Sequence, residues 1–368
     1  MKTDDTNVPS TPLSSLENLR IFAAIAVVLA HSSQFQVPLL QPFIGGTVFL
    51  GSLGVDIFFV ISGYVMGVAA SKARPGVKSG MHFFVSRMLR LVPLYTLVTI
   101  AVYCYLTVKG RPVETKHLIE SLLFLPSQTQ GRVLDPIVDA GWTLRFEMFF
   151  YLLISVGISF GRRLLVPILG IAAAVVAWLW NGFYFGAPVV LEFIAGYVLY
   201  IYRDVTIFSV RTALGYRTFF LGMLFACTLL LLASTGSDFG ERDHGIYSQV
   251  PRLWIVYTHF EAPRIIAWGI PAFILVYFCL GLEKDMKWRL ARFGKYTYGV
   301  YLLQYIALLG AGKINKLSWM PDTIAFGLGL IFLAIASRLS FQYIESPPLK
   351  WKRKFPTMDK QYHLSKAK

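Results

Sequence analysis

Three residues able to move a proton stand where the chain is otherwise apolar: His31, Asp56 and Glu147. A carboxylate beside an imidazole fixes its tautomer and keeps it basic enough to take the proton of a hydroxyl group. The bland alternative is that each makes one hydrogen bond between helices and only ties them together. Against it, an idle charge in hydrocarbon is costly, which favours a working role for His31 and Glu147 in particular. Of the six histidines, His31 alone falls deep in an apolar run; His82, His117, His244, His259 and His363 adjoin polar or basic sequence. A second feature is the pair Arg87 and Arg90, three apart and so on one helix face, where two guanidinium groups can grip one phosphate. The same pair is equally read as charge placed at a membrane edge. Arg20 lies eleven residues before His31, about 16 Å along a helix at 1.5 Å per residue.

These residues are positioned by apolar runs long enough to cross a bilayer. Of 368 residues, 55% are hydrophobic and only 15% charged. No water-soluble packing hides that much apolar surface, so lipid must cover it. The formal charge of +15 would point to nucleic acid in a soluble protein. Here the basic residues separate apolar blocks, so it reads as membrane topology, and no nucleic-acid partner is expected. Spans are expected near 16–37, 47–70, 88–107, 143–160, 164–180, 188–202, 217–234, 263–282, 295–311 and 323–344, with Leu118–Leu125 as a candidate re-entrant segment. The fold class is therefore an all-α polytopic membrane protein of about ten transmembrane helices. Residues 1–15 and 346–368 read as polar tails around a membrane domain at 16–345, and the first run lacks a cleavage site and reads as a retained helix.

With the N-terminus inside, 24 of the 35 Lys and Arg residues fall in cytoplasmic segments and 9 outside; Arg145 and Arg338 lie within spans. That bias predicts both termini in the cytoplasm. It also places His31, Asp56 and Glu147 at one depth in the outer half. Glu192 is expected to reach water at an outer helix end and Arg338 to reach toward the membrane surface, while Arg145, on a different helical face from Glu147, is assigned no role. The three cysteines, Cys104, Cys227 and Cys279, have no partner spacing and read as small membrane-buried residues, with no metal site.

At these residues the chain resembles the acyltransferase 3 family of membrane acyltransferases. The segments are "LENLRIFAAIAVVLAH" (16–31), "GVDIFFVISGY" (54–64), "FFVSRMLRLVPLY" (83–95), "WTLRFEMFFYLL" (142–153, in a form similar to exopolysaccharide O-acetyltransferases), and "LARFGKYTYGVYLLQ" (290–304) with "FQYIESPP" (341–348). The resemblance implies His31 as the key catalytic group. It implies supporting or binding roles for Arg20, Asp56, Ser62, Gly63, Arg87, Arg90 and Glu147. Two departures stand out. Met148 follows Glu147 where many members have a second acidic residue, and Gln304 stands where many have histidine.

The resemblance further implies transfer of an acyl group, acetyl foremost, from cytoplasmic acetyl-CoA to a hydroxyl of a cell-surface polysaccharide or lipid-linked sugar, in a bacterial cytoplasmic membrane. The donor's phosphates would meet Arg87 and Arg90. With no fused hydrolase-like domain in the chain, transfer would be completed inside the membrane domain. His31 would either deprotonate the sugar or carry the acyl group itself, oriented by Glu147 or Asp56. A proton-coupled transporter is the rival reading, since buried Asp, Glu and His also make proton relays. Transporters commonly show internal repeats, and none is visible here. The oligomeric state is open.

Overall fold

The computed structural model describes residues 13–32, 35, 37, 41–129, 132–179, 184–203, 222, 255–256, 262–263, 265–283, 289–318 and 320–347. Ten α-helices run through them: α1 (Ser14–Ala30), α2 (Gln41–Ser71), α3 (Val77–Val108), α4 (Thr115–Leu122), α5 (Gly141–Ser159), α6 (Leu165–Leu179), α7 (Val189–Ile201), α8 (Ile270–Gly281), α9 (Thr297–Ser318) and α10 (Asp322–Ser340). A π turn, Ile265–Gly269, leads into α8, and another, Phe341–Glu345, ends α10. The strands are minor: an antiparallel ribbon of β1 (Ser127–Thr129) with β2 (Arg132–Leu134), and a short pairing of β3 (Ile255–Val256) with β4 (Ala262–Pro263).

Among the described residues, four helical segments are long and apolar enough to cross a membrane: Leu53–Ser71, Val77–Val108, Gly141–Ser159 and Asp322–Glu345. Helices α6, α7 and α8 are shorter but equally apolar. Burial supports the membrane reading. On α10 the large side chains Leu328, Ile331, Phe332, Ile335 and Leu339 are exposed, while Ser337 and Ser340 are buried. That is the reverse of a water-soluble helix, and it fits an integral membrane protein whose outer face meets lipid.

The core lies along α2. Helix α1 packs on one side of it and α7 on another, while α3 pairs with α5 and α9 with α10. Close approach requires glycine at two crossing points. A Cβ on Gly63 would strike the Phe193 carbonyl, and one on Gly196 would strike the Val60 carbonyl, so α2 and α7 touch backbone to backbone. Helix α1 and the segment 291–318 run side by side in one direction. Gly294 faces Glu17, and Val28 packs with Ala307 and Leu308.

Several expected boundaries move. Helix α1 ends at Ala30, with His31 as its C-cap, so His31 stands at the helix end rather than deep within it. Helix α3 begins at Val77, eleven residues earlier than its apolar run. Docking explains this: the Gly76 N–H bonds the Ile158 carbonyl at 3.1 Å, and Gly80 packs against Ser155 and Ser159 of α5. Arg87 and Arg90 consequently lie well inside a 32-residue helix and not at its start. The candidate re-entrant segment is the short helix α4, capped at Leu123. The expected span at 217–234 lies outside the described residues apart from Gly222. So do most of the two tails, 1–12 and 348–368.

Candidate functional site

The middle of α2 turns Val55, Phe58, Phe59, Ser62 and Met66 toward a cavity of about 90 Å³. Ser62 lies within the apolar span Leu53–Ser71, so the cavity is set among membrane-spanning helices. Helix α1 brings Arg20 to it, α3 brings Arg90, α5 brings Thr143, Glu147 and Tyr151, and α9 brings Thr297, Tyr298 and Tyr301. Four residues singled out from the sequence, Arg20, Ser62, Arg90 and Glu147, thus meet around one space although they come from four helices.

The polar groups there are tied to one another. Glu147 Oε1 accepts a hydrogen bond from Ser62 Oγ at 3.3 Å and another from the Tyr151 hydroxyl. Arg20 pairs with Glu17 at 3.1 Å. The Tyr298 hydroxyl donates to the Leu91 carbonyl at 2.7 Å, and the Tyr301 hydroxyl lies 3.0 Å from Thr143 Oγ1. Arg87 sits behind the cavity, its guanidinium 5.3 Å from the centre of the Phe83 ring, with Nε buried and without a hydrogen-bond partner. It lies within electrostatic reach of Tyr151, Arg90, Glu147 and Arg20. Glu345, buried at the π turn, accepts from Ser340 Oγ at 3.0 Å and lies within reach of Arg90. Two guanidinium groups, those of Arg20 and Arg90, thus line one small space with Arg87 close behind, and the Glu147 carboxylate lines the same space, a charge arrangement able to receive an anionic group.

The other expected residues lie apart from this cavity. Gly63 packs against α7, so its role in the fold is close helix approach. Asp56 is fully buried on α2 but is not a lining residue, and it lies at the level of Ala23, because Gly54 packs on the Ala23 carbonyl. Glu147, bonded to Ser62, sits at the level of Arg20 and not at that of His31, so the expected common depth does not hold.

His31 stands eleven residues beyond Arg20, about 16 Å further along α1. Its Nδ1 lies 2.8 Å from the Val27 carbonyl. A carbonyl only accepts, so in the neutral ring Nδ1 carries the proton and Nε2 keeps its lone pair, the state a general base needs. A backbone carbonyl, rather than a carboxylate, therefore holds the ring.

Burial corrects the expectation for Glu192 and places Arg145. Glu192 is 2% exposed and packs beside Gly269, away from water. Arg145 is 1% exposed. Its Nη1 donates to the Leu134 carbonyl at 3.1 Å, while Nε and Nη2 have no hydrogen-bond partner. It holds the β1–β2 ribbon to the end of α5 instead of reaching the surface.

Sequence reasoning passed over Tyr151, Tyr298, Tyr301 and Glu345. Tyr151 carried a signal, since it follows Glu147 by four residues and so shares its face. Tyr298 and Tyr301 are three apart on α9, but tyrosine is common in membrane helices and the spacing alone does not mark them. Among the described residues no group of His, Cys, Asp and Glu is arranged to hold a metal ion.

Comparison with known proteins adds a family. The sequence profile described as an acyltransferase domain matches residues 13–339. The exopolysaccharide production protein ExoZ of Rhizobium meliloti (strain 1021) is 31% identical over 163 residues, covering 41% of this chain and 50% of that protein. The chain thus matches about half the length of that curated relative. No solved structure gives a match.

Proposed function

Because this chain belongs to the acyltransferase 3 family, we propose that it transfers an acyl group, acetyl foremost, from cytoplasmic acyl-CoA to a hydroxyl of a cell-surface polysaccharide or lipid-linked sugar. The observation that carries this reading is the cavity among the membrane helices where Arg20, Ser62, Arg90 and Glu147 converge, with Arg87 behind it. A transferase whose donor is cytoplasmic and whose product belongs to the cell surface needs such a site within the membrane. The similarity to a protein named for exopolysaccharide production supports a glycan acceptor.

In this mechanism the nucleotide phosphates bind the guanidinium groups of Arg87 and Arg90. The thioester arm extends past Arg20 and Glu147 toward His31. Nε2 of His31 takes the proton of the sugar hydroxyl as its oxygen attacks the thioester carbonyl. The C–S bond breaks, and the thiolate leaves and takes up a proton. A variant of the route has Nε2 itself attack first, carry the acyl group and pass it to the sugar. Glu147 keeps Ser62 and Tyr151 in place and balances the arginines, so it shapes the donor path. Both termini are cytoplasmic and the membrane is the bacterial inner membrane in this reading; the tails at 1–15 and 346–368 flank a transferase domain at 16–345.

Incubating purified protein with labelled acetyl-CoA, without and with candidate glycans, tests the proposal. Label on the glycan, or slow release of acetate without one, is expected. A protein that neither binds acetyl-CoA nor moves its acetyl group, yet carries sugar across vesicle membranes with protons, would replace the enzyme by a transporter.

A further inference from the structure

Helix α9 runs from the cavity to the level of His31, and one of its side chains has an unmet need. Gln304 is 2% exposed. Its Nε2 donates to the Tyr301 carbonyl of its own helix at 3.1 Å. A carbonyl cannot donate, so this bond fixes which end of the amide is nitrogen and leaves Oε1 pointing elsewhere. Oε1 is buried and no group donates to it. Buried carbonyl oxygens in folded proteins nearly always have a donor, so an orphan at this place asks for one from outside the chain.

Its position says which donor. Gln304 follows Thr297 by seven residues, two turns of helix, and Tyr301 by three, so it stands above the face of α9 that lines the cavity. Gly294 is level with Glu17, and Val28 packs with Ala307 and Leu308. Carried along the two helices, these two pairs put His31 level with residues 308–311. Gln304 therefore stands between the arginine cavity and His31, about 6–10 Å short of the histidine's level at 1.5 Å per residue. An acyl-CoA arm drawn along this line carries amide N–H groups. The last of them is separated from the thioester sulfur by a two-carbon spacer, much the same reach as one turn of helix.

We propose that Gln304 is a positioning residue for the acyl donor: its Oε1 accepts a hydrogen bond from the amide N–H nearest the thioester and so sets how far the acyl carbonyl advances toward His31. This rests on the transferase reading above. It adds a third anchor between the phosphates and the reacting carbon, where loss of register would cost rate as well as affinity.

The test compares ligands as well as variants. The unaltered protein should bind acetyl-CoA, and should bind adenosine 3′,5′-bisphosphate, which lacks the arm, through the arginines alone. Gln304→Met, close in size but without the acceptor, should weaken acetyl-CoA binding about three- to tenfold, the range for one neutral hydrogen bond. It should leave bisphosphate binding unchanged, which also reports that the site is folded. On the ligand side, an acetyl-CoA analogue with that amide replaced by an ester should lose a similar factor with the unaltered protein and nothing further with Gln304→Met. That arm requires no variant to fold. If the analogue binds the unaltered protein as tightly as acetyl-CoA does, the assignment is overturned. A Gln304→Met protein with normal donor affinity but a raised KM for the glycan would assign the oxygen to the acceptor instead. Failure of the unaltered protein to bind acetyl-CoA at all would remove both this inference and the reading beneath it.

Discussion

His31 and the arginines make separable demands at the scale of single residues. If Nε2 of His31 accepts the sugar proton, His31→Asn should lower transfer by about a hundredfold or more, the usual cost of losing a general base. Acetyl-CoA should still bind, because on the proposed path its phosphates bind at the other end. Glu147→Gln should fall less, since the amide can still accept from Ser62 and Tyr151. Rates of labelled acetyl transfer on equal amounts of inserted protein measure both, and substantial transfer by His31→Asn would move the base to another group. The double variant Arg87→Ala/Arg90→Ala should instead weaken acetyl-CoA binding at least tenfold, given about 1.5–3 kcal/mol for each charge-assisted bond. Normal affinity in titrations of the inserted variant would leave these residues as topology signals. The charged residues of the site were legible beforehand because charge inside an apolar run is conspicuous. Tyr298, Tyr301 and the orphan oxygen of Gln304 were not, because only helix packing decides which faces meet.

Individual elements show where sequence patterns stop being informative. An apolar window finds the lipid-crossing part of α3 but not its first turns, which are fixed by docking on α5 through Gly76 and Gly80. The end of α1 at Ala30 instead coincides with the polar residues His31, Ser32 and Ser33, which the expected span over 16–37 ran through. The ribbon carries its own pH dependence. His117 Nδ1 lies 2.8 Å from Ser127 Oγ, which donates to Glu120, so the imidazole ties α4 to β1. Burial, and next the positive charge of Arg145, push His117 below its ordinary value of 6.5. The folded form therefore resists a proton that the unfolded chain takes up readily. Its stability contribution is complete above about pH 6.5 and is lost as pH falls through the lowered folded value. Thermal unfolding followed from pH 7.5 to 5 should show a loss that His117→Gln reduces. Identical pH profiles would remove His117 from the account.

For the whole molecule, composition alone settled that lipid is the solvent, and the outward Leu, Ile and Phe of α10 bear this out. The helix plan was largely readable because each span needs about 20 apolar residues. The common depth of His31, Asp56 and Glu147 was not, since it assumed that helices begin and end at one plane. Gly54 packing on Ala23, and Ser62 on Glu147, show that they do not. The basic bias of 24 to 9 predicts both ends in the cytoplasm. A reporter active only in that compartment should give signal when fused at Met1 and at Lys368. Signal at one end alone would mean an odd number of crossings and would place donor and acceptor on the wrong sides of the cavity.

The π turn at Phe341–Glu345 has a consequence that reaches into heredity. Such a turn holds one residue more than the α-helical turn it replaces, so it has the length that one extra codon would give. Taking one codon out would let α10 continue as a regular helix and swing every later residue by about 100°. Glu345 would then leave the face it shares with Arg90, although no side chain of the site had been altered. Deleting Gln342 should shift acetyl-CoA binding in the same direction as Glu345→Ala does, and a deletion that binds as the unaltered protein does while Glu345→Ala does not would show that the extra residue leaves the carboxylate's place unchanged. At this position the length of the message, as much as its spelling, determines where the carboxylate stands.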